Sequence, residues 1–186
     1  RIEGPAAWIQ RQPGLDEERV RAILRDSGNI LSFYDEVARA VCEKEGAEGY
    51  VDKMPWPYGR YRLWYVASKF KRGRWIHIIR DGRDCYCSAQ KHPNVPQSQD
   101  PPTFAKYWQR CVSDHERLIP DDQKYTIRYE DLTHSPSEVV QAIMGFLGFG
   151  FQQTQIEASS RRDYDPGTAG AHSRLKKPIS DETVGR

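Results

Sequence analysis

The sequence predicts an α/β fold in three layers, a parallel sheet with helices on both faces. Two observations carry this. Three short runs have strand character, at residues 49–55, 75–79 and 124–129, and each is followed by a stretch with helical spacing of apolar residues. Strands that alternate with helices imply crossover connections, and crossovers place the strands parallel. The chain has 186 residues, enough for one domain with a buried core.

The elements follow in order. Residues 1–14 hold two prolines and two glycines without periodicity and read as loop. Residues 15–27 read as a helix capped by Asp16, with Glu17 and Glu18 at its positive end and Val20, Ile23 and Leu24 as its apolar stripe. A second helix spans about Ser32 to Glu45, with Phe33, Val37 and Val41 four apart, and Gly46 closes it. Gly49-Tyr50-Val51-Asp52-Lys53-Met54-Pro55 reads as a strand whose carboxyl end holds Lys53. That is the edge of an open α/β sheet where ligands bind. A helix rich in aromatics is expected from Pro57 to Arg72. Its stripe of Tyr58, Tyr61, Trp64 and Tyr65 reads more readily as core than as a pocket lining.

The next stretch carries the most chemistry. Trp75-Ile76-His77-Ile78-Ile79 has four apolar residues in five positions and reads as a buried strand. Gly82 permits a tight turn, Asp84 is a candidate helix N-cap, and a helix follows. Arg80 then stands at the strand's carboxyl end and Ser88 in the first turns of the helix. Both address the helix N-terminus, where backbone N–H groups and the helix dipole favour an anion. Arginine adds a planar charged fork suited to phosphate. Asp81, Arg83 and Asp84 form a cap and ion-pair network beside it, and His77 reads as a half-buried strand residue.

Residues 92–102 hold four prolines and read as a long loop or lid. Thr103 to Ile119 is an amphipathic helix. Lys124-Tyr125-Thr126-Ile127-Arg128-Tyr129 alternates as a strand that Glu130-Asp131 end. Ser135-Pro136-Ser137-Glu138 has the form of a capping box and opens a helix that Gly148 closes. Residues 161–178 are basic and glycine-containing, with Arg161, Arg162, Arg174, Lys176 and Lys177, and read as a mobile, solvated charged loop or a binding lid.

Composition narrows the function classes. A net charge of +2 is too small to argue for a nucleic-acid surface. No apolar run approaches the ~20 residues of a membrane span. The cysteines, Cys42, Cys85, Cys87 and Cys111, lack disulfide-scaffold or metal-ligand spacing, and neither Asn29 nor Asn94 lies in a glycosylation sequon. These features point to a reducing cytoplasm. The chain begins at Arg1 and ends at Arg186 beside a helix start signal, so a single domain over 1–186, trimmed at both ends, is expected.

Three segments occur in one order: Tyr50-Val51-Asp52-Lys53-Met54-Pro55, then Ile78-Ile79-Arg80-Asp81-Gly82-Arg83-Asp84 with Ser88, then Ile127-Arg128-Tyr129-Glu130-Asp131-Leu132. Together they resemble the sulfotransferases that use 3′-phosphoadenosine 5′-phosphosulfate, over roughly residues 49–186. The closing residues 177–186 are similar to the tail of bacterial members. The resemblance implies an incomplete P-loop-NTPase-like sulfotransferase fold. It implies that Arg80 and Ser88 hold the 3′-phosphate, that Tyr129 lies near the adenosine, and that Lys53 lies near the sulfuryl group. Catalytic roles then fall to Lys53 and Ser88. Arg174, Lys176 and Lys177 fit cofactor phosphates, as basic C-terminal loops do in relatives. The donor is 3′-phosphoadenosine 5′-phosphosulfate, the product adenosine 3′,5′-bisphosphate, no metal is required, and the acceptor is a small-molecule, carbohydrate or lipid hydroxyl, or an amine. Two departures accompany the resemblance. No Gly-x-x-x-x-Gly-Lys segment for the 5′-phosphosulfate is present, and Pro55 stands where many cytosolic members carry a general-base histidine. Two other readings stay open: a non-catalytic nucleotide-binding or interaction module, and a nucleotide kinase relative. The acceptor, the general base and the oligomeric state are not legible.

Overall fold

A computed structural model describes residues 15–52, 60–91, 95–157, 179–181 and 184–185. The chain divides into two compact units, residues 1–58 and 59–186.

The first unit holds two helices, α1 (Glu17–Asp26) and α2 (Ile30–Glu45). Asp16 caps α1 by accepting from Arg19 N, as expected. The second helix starts two residues earlier than its apolar spacing suggests, because the Asn29 carboxamide oxygen accepts from both Leu31 N and Ser32 N. Val20, Ile23, Phe33, Val37 and Ala40 form the buried cluster, with Leu15 packed against it. Leu24, expected in the stripe, is 45% exposed. The strand expected over residues 49–55 is not formed over 49–52: Val51 is 95% exposed, and the Tyr50 hydroxyl donates to Asp35 at 2.9 Å instead of joining a sheet edge. Strand pairing needs a non-local partner, and none is present at these four residues. Residues 53–55 lie outside the described residues.

The second unit is a small parallel sheet flanked by helices. Its elements are α3 (Arg60–Lys69), β1 (Trp75–Ile79), α4 (Gly82–Ala89), α5 (Pro101–Leu118), β2 (Lys124–Arg128), α6 (Tyr129–His134), α7 (Pro136–Leu147) and α8 (Thr154–Glu157). β1 and β2 pair in parallel, with Trp75 opposite Lys124 and Ile79 opposite Arg128. Side chains alternate across this sheet. One face meets α3 and α5: Trp75 packs on Leu63, Ala67 and Ile119, His77 stacks on His115 at 4.4 Å, and Thr126 donates to Glu116 at 3.2 Å. The other face meets α7, where Tyr125 stacks on Phe146 at 5.4 Å. This is the expected layering, with two strands among the described residues rather than three.

Several local expectations are corrected. The loop expected over 92–102 contains a 3-10 turn, Pro96–Gln99, and α5 begins inside it at Pro101, capped by Asp100. Tyr129 does not end a strand; it opens α6. Ser135 makes no side-chain cap bond, so the capping box is not closed, and its N–H ends α6 by donating to Asp131 O at 2.8 Å. Of the aromatic stripe, Trp64 is 58% and Tyr65 40% exposed rather than core, while Leu63 and Ala67 face inward; Tyr58 lies outside the described residues. No helix among the described residues is long and apolar enough to cross a membrane.

The His77–His115 stack carries a pH prediction. Burial, with the His115 ring and Lys124 adding to it against Glu116, pushes the His77 imidazole down to about 4 from 6.5. The unfolded chain therefore takes up this proton first as pH falls. The stabilising contribution is complete above the unfolded value and is lost as pH drops from 6.5 towards 4. Because the ring is only partly buried, the expected loss is about 1–2 kcal/mol. Urea unfolding of wild type and His77→Phe at pH 7 and pH 4.5 should show a smaller pH dependence in the variant.

Candidate functional site

The site is built where β1 ends. Three elements fix the backbone of residues 80–81. The Trp108 indole N–H, from α5, donates to Arg80 O at 3.1 Å. Asp81 N donates to Glu130 Oε1, from α6, at 2.7 Å. Cys85 Sγ, from α4, lies 3.8 Å from Arg80 O. Each ordinary hydrogen bond of this kind contributes about 1 kcal/mol, and one to a carboxylate more. Arg80 thus springs from a braced corner rather than from a loop.

Gly82 has a different purpose from the expected one. Its φ is not positive. A Cβ there would stand 3.2 Å from Trp108 Cδ2, so a side chain at this position would press on the indole, and the turn itself does not require glycine. The cap is also reassigned. Asp81, not Asp84, is the N-cap of α4, its carboxylate accepting from Arg83 N at 2.8 Å. Its aspartate already stands at the helix's positive end, so the anion argument moves from the helix terminus to Arg80. The Arg83 guanidinium closes back on Asp81 at 2.7 Å and holds that carboxyl well below the usual carboxylate range.

The Arg80 guanidinium lies over the Tyr129 ring, 4.9 Å from its centroid. It also faces Asp84 Oδ2 at 3.7 Å, with the arginine side chain 23% and the aspartate side chain 6% exposed. Starting α6 at Tyr129 places the ring beside the arginine, since the helix turns the chain at the strand's carboxyl end. Asp84, which faces Arg80, and Ser88 are four apart in α4 and so lie on one side of the helix. Ser27, Ser68, Ser98 and Ser113 each donate to a carbonyl three or four residues earlier, whereas Ser88 makes no such back-bond. Burial pushes the neighbouring Cys85 thiol up, so it stays protonated. Arg80 and Tyr129 are therefore brought together at the end of β1, with Ser88 one helical turn beyond Asp84 in α4, and a guanidinium over a ring suits a phosphate oxygen set.

Lys53, Arg174, Lys176 and Lys177 lie outside the described residues. Sequence reasoning missed Trp108 and the bridging role of Glu130. Glu130 stands in the quoted Tyr-Glu-Asp segment, but its bond to residue 81 spans 49 positions and leaves no local signal. Among the described residues no group of three His, Cys, Asp or Glu is placed to hold a metal ion.

A model of the sulfotransferase family matches residues 7–153, a span that includes Lys53, Arg80, Ser88 and Tyr129 but not Arg174, Lys176 or Lys177. A solved structure, described as the sulfotransferase domain from the curacin biosynthetic pathway, is similar in fold with a TM-score of 0.52 at 18% sequence identity. The match covers 93% of this chain and 62% of that one, so this chain spans less than two thirds of that domain. No curated protein sequence matches.

Proposed function

Because this chain belongs to the sulfotransferase family, we propose that it moves a sulfuryl group from 3′-phosphoadenosine 5′-phosphosulfate to a hydroxyl or amine acceptor. The observation that carries the donor assignment is the Arg80 guanidinium, which lies over the Tyr129 ring and faces the Asp84 carboxylate. When bound, the donor supplies the activated sulfuryl group and a nucleotide leaving group. The chain's own residues supply binding and orientation. Arg80 takes the 3′-phosphate, Ser88 donates one hydrogen bond to it, and Tyr129, whose ring lies under the guanidinium, faces the nucleoside.

Lys53 is the proposed cation at the sulfuryl group, and Arg174, Lys176 and Lys177 the proposed contacts to cofactor phosphates. Transfer of this kind runs through a loose in-line displacement, so positioned cations carry most of the rate. The family match runs through both compact units, which supports treating residues 1–186 as parts of one sulfotransferase-like domain. A small-molecule, carbohydrate or lipid acceptor fits the same reading.

The test is formation of adenosine 3′,5′-bisphosphate from the phosphosulfate donor over a panel of hydroxyl and amine acceptors. Release without acceptor dependence would count against transfer. Removing one hydrogen bond to a charged partner costs about 1.5 kcal/mol. Ser88→Ala should therefore weaken binding of adenosine 3′,5′-bisphosphate about tenfold by calorimetry. An unchanged affinity would remove Ser88 from the site.

A further inference from the structure

Residues 80–81 and 129–130 meet twice. Arg80 lies over the Tyr129 ring, 4.9 Å from its centroid, and Asp81 N donates to Glu130 Oε1 at 2.7 Å. The second tie crosses between helices. Asp81 caps α4, and Asp84, three positions on, has the spacing of a capping box whose acid would return to the Asp81 N–H. Asp84 instead faces Arg80 Nη2 at 3.7 Å, and the Asp81 N–H goes to Glu130 of α6. The Asp81 carboxylate is taken by the Arg83 N–H and the Arg83 guanidinium. The Glu130 side chain is 20% exposed, and its second oxygen faces Arg128 Nε at 3.5 Å. Electrostatics alone argues against a carboxylate at this place, because it repels a phosphate brought to Arg80. Its reach to the Asp81 N–H is what offsets that repulsion.

We propose that Glu130 is a positioning residue that sets the selectivity for a 3′-phosphorylated nucleotide, by tying the backbone from which Arg80 springs to the helix that carries Tyr129. The proposal rests on the reading of Arg80 as the phosphate ligand. An arginine side chain has many rotamers, and ordering it around a phosphate costs entropy. Fixing its origin against the ring it lies over lowers that cost before the ligand arrives. The Trp108 N–H holds the Arg80 carbonyl from α5, whereas Glu130 makes the tie to α6. Hydrogen bonds to ionised acceptors are the strong ones, so the tie is a firm one. By linkage, a phosphate that favours this arrangement tightens the Asp81–Glu130 bond to the same degree.

Two measurements on the full chain test this. The first is the ratio of calorimetric affinities for adenosine 3′,5′-bisphosphate and adenosine 5′-monophosphate in two variants. Glu130→Gln keeps the reach and an acceptor oxygen but loses the charge. Glu130→Asp keeps the charge but retracts the acceptor by one methylene. The ratio should fall about fivefold or more in Glu130→Asp and should not fall in Glu130→Gln. The second is exchange of the Asp81 amide proton, followed by NMR in the wild type. Saturating bisphosphate should slow it about fivefold or more relative to saturating monophosphate. A ratio kept in Glu130→Asp, even with stability lowered, overturns the positioning role, as does a ratio lost equally in Glu130→Gln. Exchange that does not distinguish the nucleotides, while Arg80→Ala still removes the ratio, overturns it too and leaves the phosphate site standing. A wild-type ratio near one, or a ratio that survives in Arg80→Ala, overturns both. The exchange measurement needs no variant, so a misfolded protein does not spare the proposal.

Discussion

Arg80→Ala should weaken binding of adenosine 3′,5′-bisphosphate by about a hundredfold, or about 2.7 kcal/mol. The figure follows from losing a charge-assisted, two-pronged contact to phosphate. Arg80→Lys should recover only about tenfold of this, because an ammonium keeps the charge but not the planar fork or the stacking on Tyr129. The alanine variant also leaves the buried Asp84 with the Gly185 N–H and no cation, so it should unfold at lower denaturant than wild type. Calorimetry on samples whose circular dichroism matches wild type separates the two effects. A lysine variant as tight as wild type would mean that charge alone, without geometry, holds the phosphate.

The largest stability effect is expected far from that corner. Phe33 is 2% exposed and is among the largest fully buried side chains, at the centre of the Val20, Ile23, Val37 and Ala40 cluster. Phe33→Ala removes its transfer free energy and leaves a cavity between α1 and α2, which should cost about 3–5 kcal/mol. The residues around it are small or β-branched and have few rotamers with which to close the gap. Urea unfolding followed by far-UV circular dichroism measures this. Phe33→Leu, which keeps most of the volume, should cost well under half as much. A loss below about 1 kcal/mol for the alanine variant would mean the cluster is not the core of this unit.

What was legible in the sequence follows physical range. Both helices of the first unit could be read from spacing and caps, because Asp16 and the four-residue repeat of Phe33 and Val37 act within one or two turns. β1, β2 and their parallel pairing were legible from β-branched runs separated by helical stretches. The caps misled where two candidates competed. Asp81 and Asp84 both precede an apolar turn, and only the fold shows that Asp84 is drawn inward by Arg80 and Gly185. Gly82 was legible as a turn residue, but its close approach to Trp108 was not, since Trp108 arrives from another helix. Tyr129 was placed beside the nucleotide site by its segment, yet its closeness to Arg80 depends on a helix start that alternation alone read as the end of a strand. Ser68 and Ser113 back-bond within their helices and Ser88 does not, which spacing alone does not show.

The most direct test of the account compares two nucleotides that differ only in the 3′-phosphate. Calorimetric titration with adenosine 3′,5′-bisphosphate and with adenosine 5′-monophosphate isolates the group assigned to Arg80 and Ser88. The account predicts that the bisphosphate binds wild type about thirtyfold tighter or more, and that this advantage disappears in Arg80→Ala. Equal affinity of wild type for the two nucleotides, or an advantage that survives in Arg80→Ala, would contradict it.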